Sequence, residues 1–226
     1  WCVLMYLIDL LLSYLLICIV ICERRTTMGM RSQQIRPIDS HLHIWSDGTA
    51  PYVYIPEDSA PPSHLVDVGQ PANLVHLMND AGVDGALIVQ PINHKYDHSF
   101  VLDCLNNEQY GSKFKGMCLL DPLCDNEYLP TLRRQGFCSV RFNPYLFPDG
   151  EDGKGMSSDR GKELFKQCAE LSMPVGFMLF KGIPRHVAEV EELLECESNT
   201  AVLIDHFGFF VQNGEVDEDA FNKLLE

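Results

Sequence analysis

Two histidines, His41 and His43, stand one residue apart in the sequence. In a β-strand the side chains of residues i and i+2 point to the same face, so both imidazoles would converge on one spot, with Leu42 facing away. Asp39 would share their face. Such a pair can hold one divalent cation, or present two ring nitrogens to one substrate group. The alternative is a polar strand end whose histidines bond nearby carbonyls, and the pattern alone does not separate the two.

Composition and charge narrow the classes of protein to consider. The chain has 226 residues, of which 46% are hydrophobic and 22% charged, with a formal net charge of −15. These fractions are ordinary for a globular protein and allow a sizeable core. Nucleic-acid binding needs clustered Lys and Arg against phosphate, so no nucleic-acid partner is expected. The expected partner is a small-molecule substrate, and the oligomeric state is not predicted.

The cysteines indicate the redox environment. Nine cysteines are scattered along the chain, several inside apolar runs, and none forms a C-x-x-C pair. An odd number without paired spacing predicts buried free thiols, not a disulfide framework. This usage favours a reducing compartment, either the cytoplasm or an organelle.

Residues 1–34 are predicted to be a segment separate from the main domain. Cys2–Cys22 is almost wholly apolar and is long enough to span a bilayer as a helix. The favoured alternative is an untranslated stretch read through by a gene model, with initiation at Met28 or Met30, because Asp9 in mid-span is costly. A membrane is therefore an expected partner only if the apolar run is translated.

From residue 35 to residue 226, which we predict to be one domain, short apolar runs alternate with helical patterns. The predicted strands are Ile35–His43, Gly85–Gln90, Phe114–Leu120, Phe137–Phe142, Pro174–Phe180 and Ala201–Asp205, and the predicted helices are Pro71–Ala81, Asp97–Asn107, Asn126–Gln135, Asp159–Leu171, Pro184–Cys196 and Asp217–Glu226. Ile44–Val68 is predicted to be a long loop, and Asp159 is the predicted helix cap. Apolar strands separated by helices are typical of a parallel sheet buried on both faces.

Two features favour part of an eight-unit barrel over a doubly wound sheet. No G-x-G-x-x-G motif follows the first strand, which weakens the dinucleotide-binding alternative. Polar residues instead follow the C-terminal ends of several strands, as in a (β/α)8 active site. These residues are His41, His43, Gln90, Asp121, Arg141, Asn143, Lys181, Asp205 and His206. The predicted fold class is therefore α/β, a (β/α)8 TIM barrel of which about six βα units are present.

Four motifs in this order and spacing resemble the amidohydrolase-related (amidohydrolase 2) family, in particular its lactonase-like branch. They are Ile38–His43 (IDSHLH), Leu87–Pro91 (LIVQP), Gly136–Phe142 (GFCSVRF) and Val202–Gly208 (VLIDHFG). The resemblance covers about residues 35–208. It implies a TIM-barrel hydrolase in which water attacks an ester, lactone or amide carbonyl at the C-terminal face of the barrel.

The resemblance also implies which side chains act on that water. His41, His43 and His206 match the positions of histidines that contact the metal or the substrate in the family, and would bind one divalent metal, zinc or manganese, which lowers the pKa of the water. Some lactonases of this branch use no metal. In those members the histidines and arginines polarise the carbonyl, and an aspartate from strand eight is the base.

Two further residues are candidates for substrate binding. Arg141 would clamp a substrate carboxylate with its planar fork, or would pair with a carboxylate across the barrel. Gln90 would donate a hydrogen bond to a ligand oxygen, or would cap a strand end. Asp205 is expected to be structural, because strand alternation turns it away from His206.

The sequence departs from the family pattern at several positions. Strand four offers no Lys or Glu to bridge two metals, so one metal ion is the most that is expected. Strand five has no histidine, and Phe209 stands where some lactonases carry an arginine. The strand-eight aspartate has no counterpart before Glu226, so the domain is expected to be C-terminally truncated. Two alternatives stay open: a truncated chain without catalysis, and a metal-dependent decarboxylase on the same fold.

Overall fold

The computed structural model describes residues 37–56, 59–148, 154–212 and 215–225 of the chain. The predicted N-terminal segment and its apolar run, Cys2–Cys22, lie outside these residues. Within the described ranges, none of the helices combines the length and the apolarity needed to cross a membrane.

Helices and strands alternate along the described residues, as the sequence predicts. In chain order they are β1 Ile38–Leu42, α1 Ser63–Val68, α2 Pro71–Asp80, β2 Gly85–Val89, α3 Ser99–Leu105, β3 Phe114–Leu119, α4 Tyr128–Gln135, β4 Phe137–Phe142, α5 Asp159–Glu170, β5 Val175–Phe177, α6 Val187–Cys196, β6 Val202–Ile204, β7 Val211–Gln212, β8 Glu215–Val216 and α7 Glu218–Leu225. Helices between successive strands are what parallel pairing requires.

Strands β1 to β6 form one parallel sheet, and each strand pairs with its neighbour in sequence. Leu119 of β3 lies beside Arg141 of β4, which lies beside Gly176 of β5. Partners in register point to the same face, so these three residues define the inner face of the sheet. Strands β7 and β8 form a separate antiparallel pair.

The two faces of the sheet are packed differently. On the outer face, Ile88 and Val140 are fully buried and belong to a core shared with the helices, including Phe165 of α5. On the inner face, Met117 and Leu119 are each 1% exposed. Burial on both faces explains why strands such as β2 and β3 are largely apolar and do not alternate.

The sheet is strongly curled. In a flat sheet with strands about 4.8 Å apart, the first and sixth strands would be about 24 Å apart. Instead, Nδ1 of His41 in β1 lies 3.4 Å from Oδ1 of Asp205, the residue after β6. The six parallel strands therefore form a half-barrel, which confirms the predicted fold class, an incomplete TIM barrel.

Two local predictions are wrong. Ile44–Val68 is not all loop, because Ser63–Val68 forms α1. This helix buries none of its residues and so leaves no apolar periodicity in the sequence. Helix α5 begins at Asp159, but its cap is Ser158, whose hydroxyl accepts a hydrogen bond from the N–H of Gly161 at 3.2 Å.

Candidate active site

Strand β1 and the residue that follows it bring two imidazoles together. Leu42 pairs in register with Ile88 of the outer face, so His41 and His43 point inward. Their Nε2 atoms lie 3.4 Å apart, and the two rings are nearly perpendicular. Asp39 pairs in register with Ala86, on the same face as Ile88, so it does not share the face of the histidines as the sequence predicts, and its Oδ1 accepts a hydrogen bond from the backbone N–H of His41 at 2.9 Å.

The hydrogen bond of His43 determines which of its nitrogens carries the proton. Nδ1 lies 2.8 Å from the carbonyl oxygen of Val89, which can only accept, so Nδ1 donates. Nε2 of His43 therefore carries a lone pair that faces His41. Burial, reinforced by the charges of Arg141 and His41, lowers the pKa of His43 to about 3. The ring is neutral near pH 7 and can act as a ligand or as a proton acceptor.

Asp205 joins Arg141 to His41. Its Oδ2 accepts a hydrogen bond from Nε of Arg141 at 2.9 Å and forms an ion pair with Nη2 at 2.8 Å, while Nη2 donates its hydrogen bond to Sδ of Met178. Oδ1 of Asp205 lies 3.4 Å from Nδ1 of His41. Burial alone would raise the pKa of Asp205, but the contacts with His41 and Arg141 outweigh burial and hold that pKa below its usual value. Of the two roles considered for Arg141, the structure shows the ion pair with a carboxylate across the barrel.

The expectation that Asp205 turns away from the site is wrong. Strand β6 ends one residue before it, so strand alternation does not relate Asp205 to His206. Leu203 pairs in register with Gly176 on the inner face, which places Asp205 on that face as well. Gly176 is packed against Met117, because an added Cβ would lie 2.9 Å from Cε of Met117, whereas it would be in ordinary contact, at 3.9 Å, with Oδ1 of Asp205.

His206 reaches the histidine pair from a left-handed turn. The φ angles of His206, Phe207, Gly208 and Phe209 are +50°, +53°, +68° and +53°. Residues other than glycine rarely adopt such angles, and residues held there cluster at functional sites. The turn brings the ring centroid of His206 to 4.9 Å from that of His41. Burial and the positive charge of His41 lower the pKa of His206, which favours its neutral ring.

The histidine pair fits a divalent metal in both chemistry and spacing. Two nitrogens, each about 2.0–2.1 Å from a tetrahedral zinc ion, are about 3.4 Å apart. This is the distance between the Nε2 atoms of His41 and His43. Among the described residues, no group of three or more His, Cys, Asp or Glu side chains is arranged to hold a metal ion. The structure therefore presents two ligands, and His206 lies beside them without completing the set in this conformation.

Gln90 is not brought to this group. It follows Val89, an inner-face residue, so its side chain leaves on the outer face, opposite the histidines. Its Nε2 donates to the carbonyl oxygens of Lys95 at 3.1 Å and Asp97 at 2.8 Å. Within the described part of the chain, its buried Oε1 has no hydrogen-bond partner. In the structure the side chain holds the loop between β2 and α3.

A second cluster of titratable groups, Tyr145, His186 and Glu189, was not predicted. Nδ1 of His186 lies 2.7 Å from Oε2 of Glu189, and its Nε2 lies 2.9 Å from the hydroxyl of Tyr145. The side chains of His186 and Glu189 are each 1% exposed. Oε1 of Glu189 accepts from the N–H of Met156 at 2.7 Å, so the cluster ties the segment after β4 to the start of α6. The i, i+3 spacing of His186 and Glu189 is the sequence signal that could have found this pair.

Comparisons with known proteins address the fold and the family. The sequence model of a family described as amidohydrolase matches residues 38–223. A solved structure from Acinetobacter baumannii, assigned as a 2-pyrone-4,6-dicarboxylic acid hydrolase and containing citric acid, matches with a TM-score of 0.65 and 18% identity, over 83% of this chain and 64% of that one. A protein from Pseudomonas putida with the same assignment matches with a TM-score of 0.61 and 20% identity, over 83% and 63%.

A third solved structure contains a metal. It is an amidohydrolase from Burkholderia multivorans with bound zinc, and it matches with a TM-score of 0.59 and 14% identity, over 83% of this chain and 65% of that one. At these identities the likeness shows the fold. The chain spans less than two thirds of the length of all three solved chains.

Proposed function

Because this chain belongs to the amidohydrolase family, we propose that it is a hydrolase in which water attacks a lactone, ester-like or amide carbonyl at the C-terminal face of the half-barrel. The match of the family model to residues 38–223 confirms the family that the sequence motifs resemble. The observation that carries the proposal is the 3.4 Å separation of the Nε2 atoms of His41 and His43. Two inward-facing imidazole nitrogens at this distance converge on one cation or one reacting group. Given the net charge of −15, the proposed partner is a small-molecule substrate and not nucleic acid.

In the metal-dependent form of the proposal, His41, His43 and His206 hold one zinc or manganese ion. Such an ion, when bound, lowers the pKa of a water and so supplies a nucleophile at neutral pH. The carbonyl oxygen of Val89 lies 2.8 Å from Nδ1 of His43, and Oδ1 of Asp205 lies 3.4 Å from Nδ1 of His41. Each ring is therefore contacted on its Nδ1 side, which leaves Nε2 for the metal. Zinc in a protein of the same fold is consistent with this form.

In the metal-free form, the same imidazoles and Arg141 polarise the carbonyl of the substrate. Nε of Arg141 donates to Asp205 and Nη2 lies 2.8 Å from the same oxygen, and the two charges offset one another. A substrate carboxylate placed at Arg141 would compete with Asp205 for these donors. The site therefore favours a substrate with at most one carboxylate.

The test combines elemental analysis with a hydrolysis assay of the purified full chain. The probes are zinc, manganese, an aromatic lactone such as dihydrocoumarin, and an aryl acetate, with release of the phenol followed by absorbance. We expect hydrolysis, and a loss of kcat/KM of about 100-fold or more in His41→Ala and in His43→Ala. His76→Ala is the matched control, because His76 is an exposed histidine of α2 and should leave the rate unchanged.

Metal content separates the two forms of the proposal. One bound ion per chain, lost in His41→Ala but kept in His76→Ala, supports the metal-dependent form. Hydrolysis by a chain that carries no metal and resists chelators supports the metal-free form. A folded wild-type chain that hydrolyses none of the probes, with or without added metal, would contradict a lactone- or ester-directed hydrolase.

A further inference from the structure

We propose that Asp205 is a positioning residue that keeps a proton on Nδ1 of His41 and so presents the Nε2 lone pair of His41 to the site. The inference deepens the proposed function, and only its consequence for metal or substrate rests on that function. The position of the proton is a property of the chain itself and can be measured without turnover.

Two acceptors compete for the single proton of a neutral His41 ring. Oδ1 of Asp205 lies 3.4 Å from Nδ1, and Nε2 of His43 lies 3.4 Å from Nε2. Nε2 of His43 is an acceptor because its Nδ1 donates to the carbonyl of Val89. The two distances are equal, but only the contact between the two imidazoles has hydrogen-bond geometry. The charge of the acceptor is therefore what favours Nδ1 as the nitrogen of His41 that keeps the hydrogen.

The carboxylate is the stronger acceptor. It forms an ion pair with the guanidinium of Arg141, whereas the acceptor on His43 is a ring nitrogen, and hydrogen bonds to a charged acceptor are about twice as strong as those between neutral groups. The Asp205 side chain is 5% exposed, so water does little to weaken the interaction. A His41 ring without a hydrogen on Nδ1 would direct a lone pair at a buried carboxylate. The proton therefore stays on Nδ1, and Nε2 of His41 faces Nε2 of His43 as a second lone pair.

Arg141 fixes the orientation of that carboxylate. Its Nε donates to Oδ2 and its Nη2 lies 2.8 Å from the same oxygen, which leaves Oδ1 directed at His41. One buried carboxylate thus links β4 and the end of β6 to a histidine of β1. When a histidine binds a metal, a carboxylate that accepts from its other ring nitrogen sets the tautomer of the histidine and raises the basicity of the ligating nitrogen.

The test is the ¹⁵N resonance of His41 Nδ1 in the metal-free full chain, recorded at about pH 8.5, which is above the ordinary pKa of an imidazole. We expect a protonated Nδ1 in the wild type. In Asp205→Asn the amide oxygen can stay with Arg141 while its NH2 group turns to His41, so Nδ1 should lose the proton and Nε2 should gain it. Arg141→Met is the matched control, because it breaks the same ion pair but keeps the carboxylate, and Nδ1 should stay protonated.

The outcomes are distinct. A protonated Nδ1 in folded Asp205→Asn overturns the proposal, as does an equal change in Arg141→Met, which would indicate general loosening of the site. Where Asp205→Asn alone unfolds because it leaves a buried charge unpaired, the double variant Asp205→Asn, Arg141→Met removes both charges and decides the same question.

Zinc affinity, measured by competition with a coloured chelator, gives the second readout. We expect zinc binding about 10- to 100-fold weaker in Asp205→Asn, with Arg141→Met close to the wild type. Zinc binding as tight in Asp205→Asn as in the wild type counts against the positioning role. A wild-type chain that binds no zinc and hydrolyses no probe counts against the proposed function, while the ¹⁵N resonance still decides the inference.

Discussion

Gly208 lies so close to Ile183 that a Cβ added at position 208 would be 3.0 Å from Cβ of Ile183. Gly208 belongs to the left-handed turn that carries His206, and its own φ is +68°. Ile183 belongs to the segment that leads into α6 and is 4% exposed. The position of His206 beside His41 therefore depends on a glycine packed against a buried side chain.

The first prediction follows from that contact. Gly208→Ala should lower the free energy of unfolding by about 1–2 kcal/mol for the left-handed backbone, and by about 1–3 kcal/mol more for crowding against Ile183. Gly82→Ala is the control, because its φ is +70° but nothing lies within 4 Å of the added Cβ. Urea unfolding of both variants measures the loss of stability, and zinc titration of both measures the effect on the site. Equal losses in the two variants would show that the contact with Ile183 is unimportant.

The second prediction concerns acid. His98 is 5% exposed, its Nε2 accepts the N–H of Leu119 at 3.1 Å, and burial lowers its pKa to about 4. Between pH 6.5 and pH 4 the unfolded chain binds a proton at this residue that the folded chain does not bind, so stability falls as pH falls. His98 alone should lower the free energy of unfolding by roughly 2 kcal/mol between pH 6.5 and pH 5.

His43 acts in the same direction, because its pKa is lowered to about 3. Denaturant unfolding of the wild type and of His98→Asn at several pH values measures both contributions. The pH dependence should be smaller, but not abolished, in His98→Asn. A wild-type stability that stays constant from pH 7 to pH 5 would be inconsistent with two buried neutral rings.

The third prediction concerns the cluster of Tyr145, His186 and Glu189. Glu189→Ala leaves His186 buried without its carboxylate and frees the N–H of Met156, so it should cost about 3–5 kcal/mol of unfolding free energy. Glu191→Ala, an exposed change in the same helix, should have little effect. Urea unfolding of the two variants is the measurement. Similar stabilities would mean that the buried pair adds nothing to the attachment of α6.

The fourth prediction tests the thiols. Cys104, Cys118 and Cys168 are buried and free, and burial raises the pKa of each, to about 12 for Cys104. Since the thiolate is the nucleophile, these three should resist iodoacetamide in the native chain and react in urea. Cys138 and Cys196, which are only partly buried, should react first. Peptide mass spectrometry after timed labelling gives the order, and rapid native labelling of Cys118 would contradict this packing.

Much of the fold could be predicted from the sequence, because each element leaves a local signal. Apolar runs and helical periodicity predict the alternation of strands and helices, and the spacing of His41 and His43 places both rings on one face. Helix α1 has no buried residue, so its sequence has no apolar period to detect.

The rest of the site depends on contacts between distant segments. The prediction for Asp205 is wrong because it assumes that strand alternation continues to His206, whereas the strand ends at Ile204 and His206 belongs to a left-handed turn that no period describes. Gln90 directly follows β2, and the register of β2 with β3 places its side chain on the outer face, away from the histidines. Neither the register nor the direction of the turn is encoded in neighbouring residues alone.

The strand order has a consequence for how the chain acquires its site. Neighbouring strands can pair progressively along the chain, and the His41–His43 pair lies within one strand and its end. The contacts of His41 with Asp205 and His206 join the first strand to the sixth and close the longest loop. Because closing this loop has the largest entropic cost, we expect these contacts to form last. In refolding experiments, a probe at His206 should therefore report the slowest phase, after the histidine pair of β1 has formed.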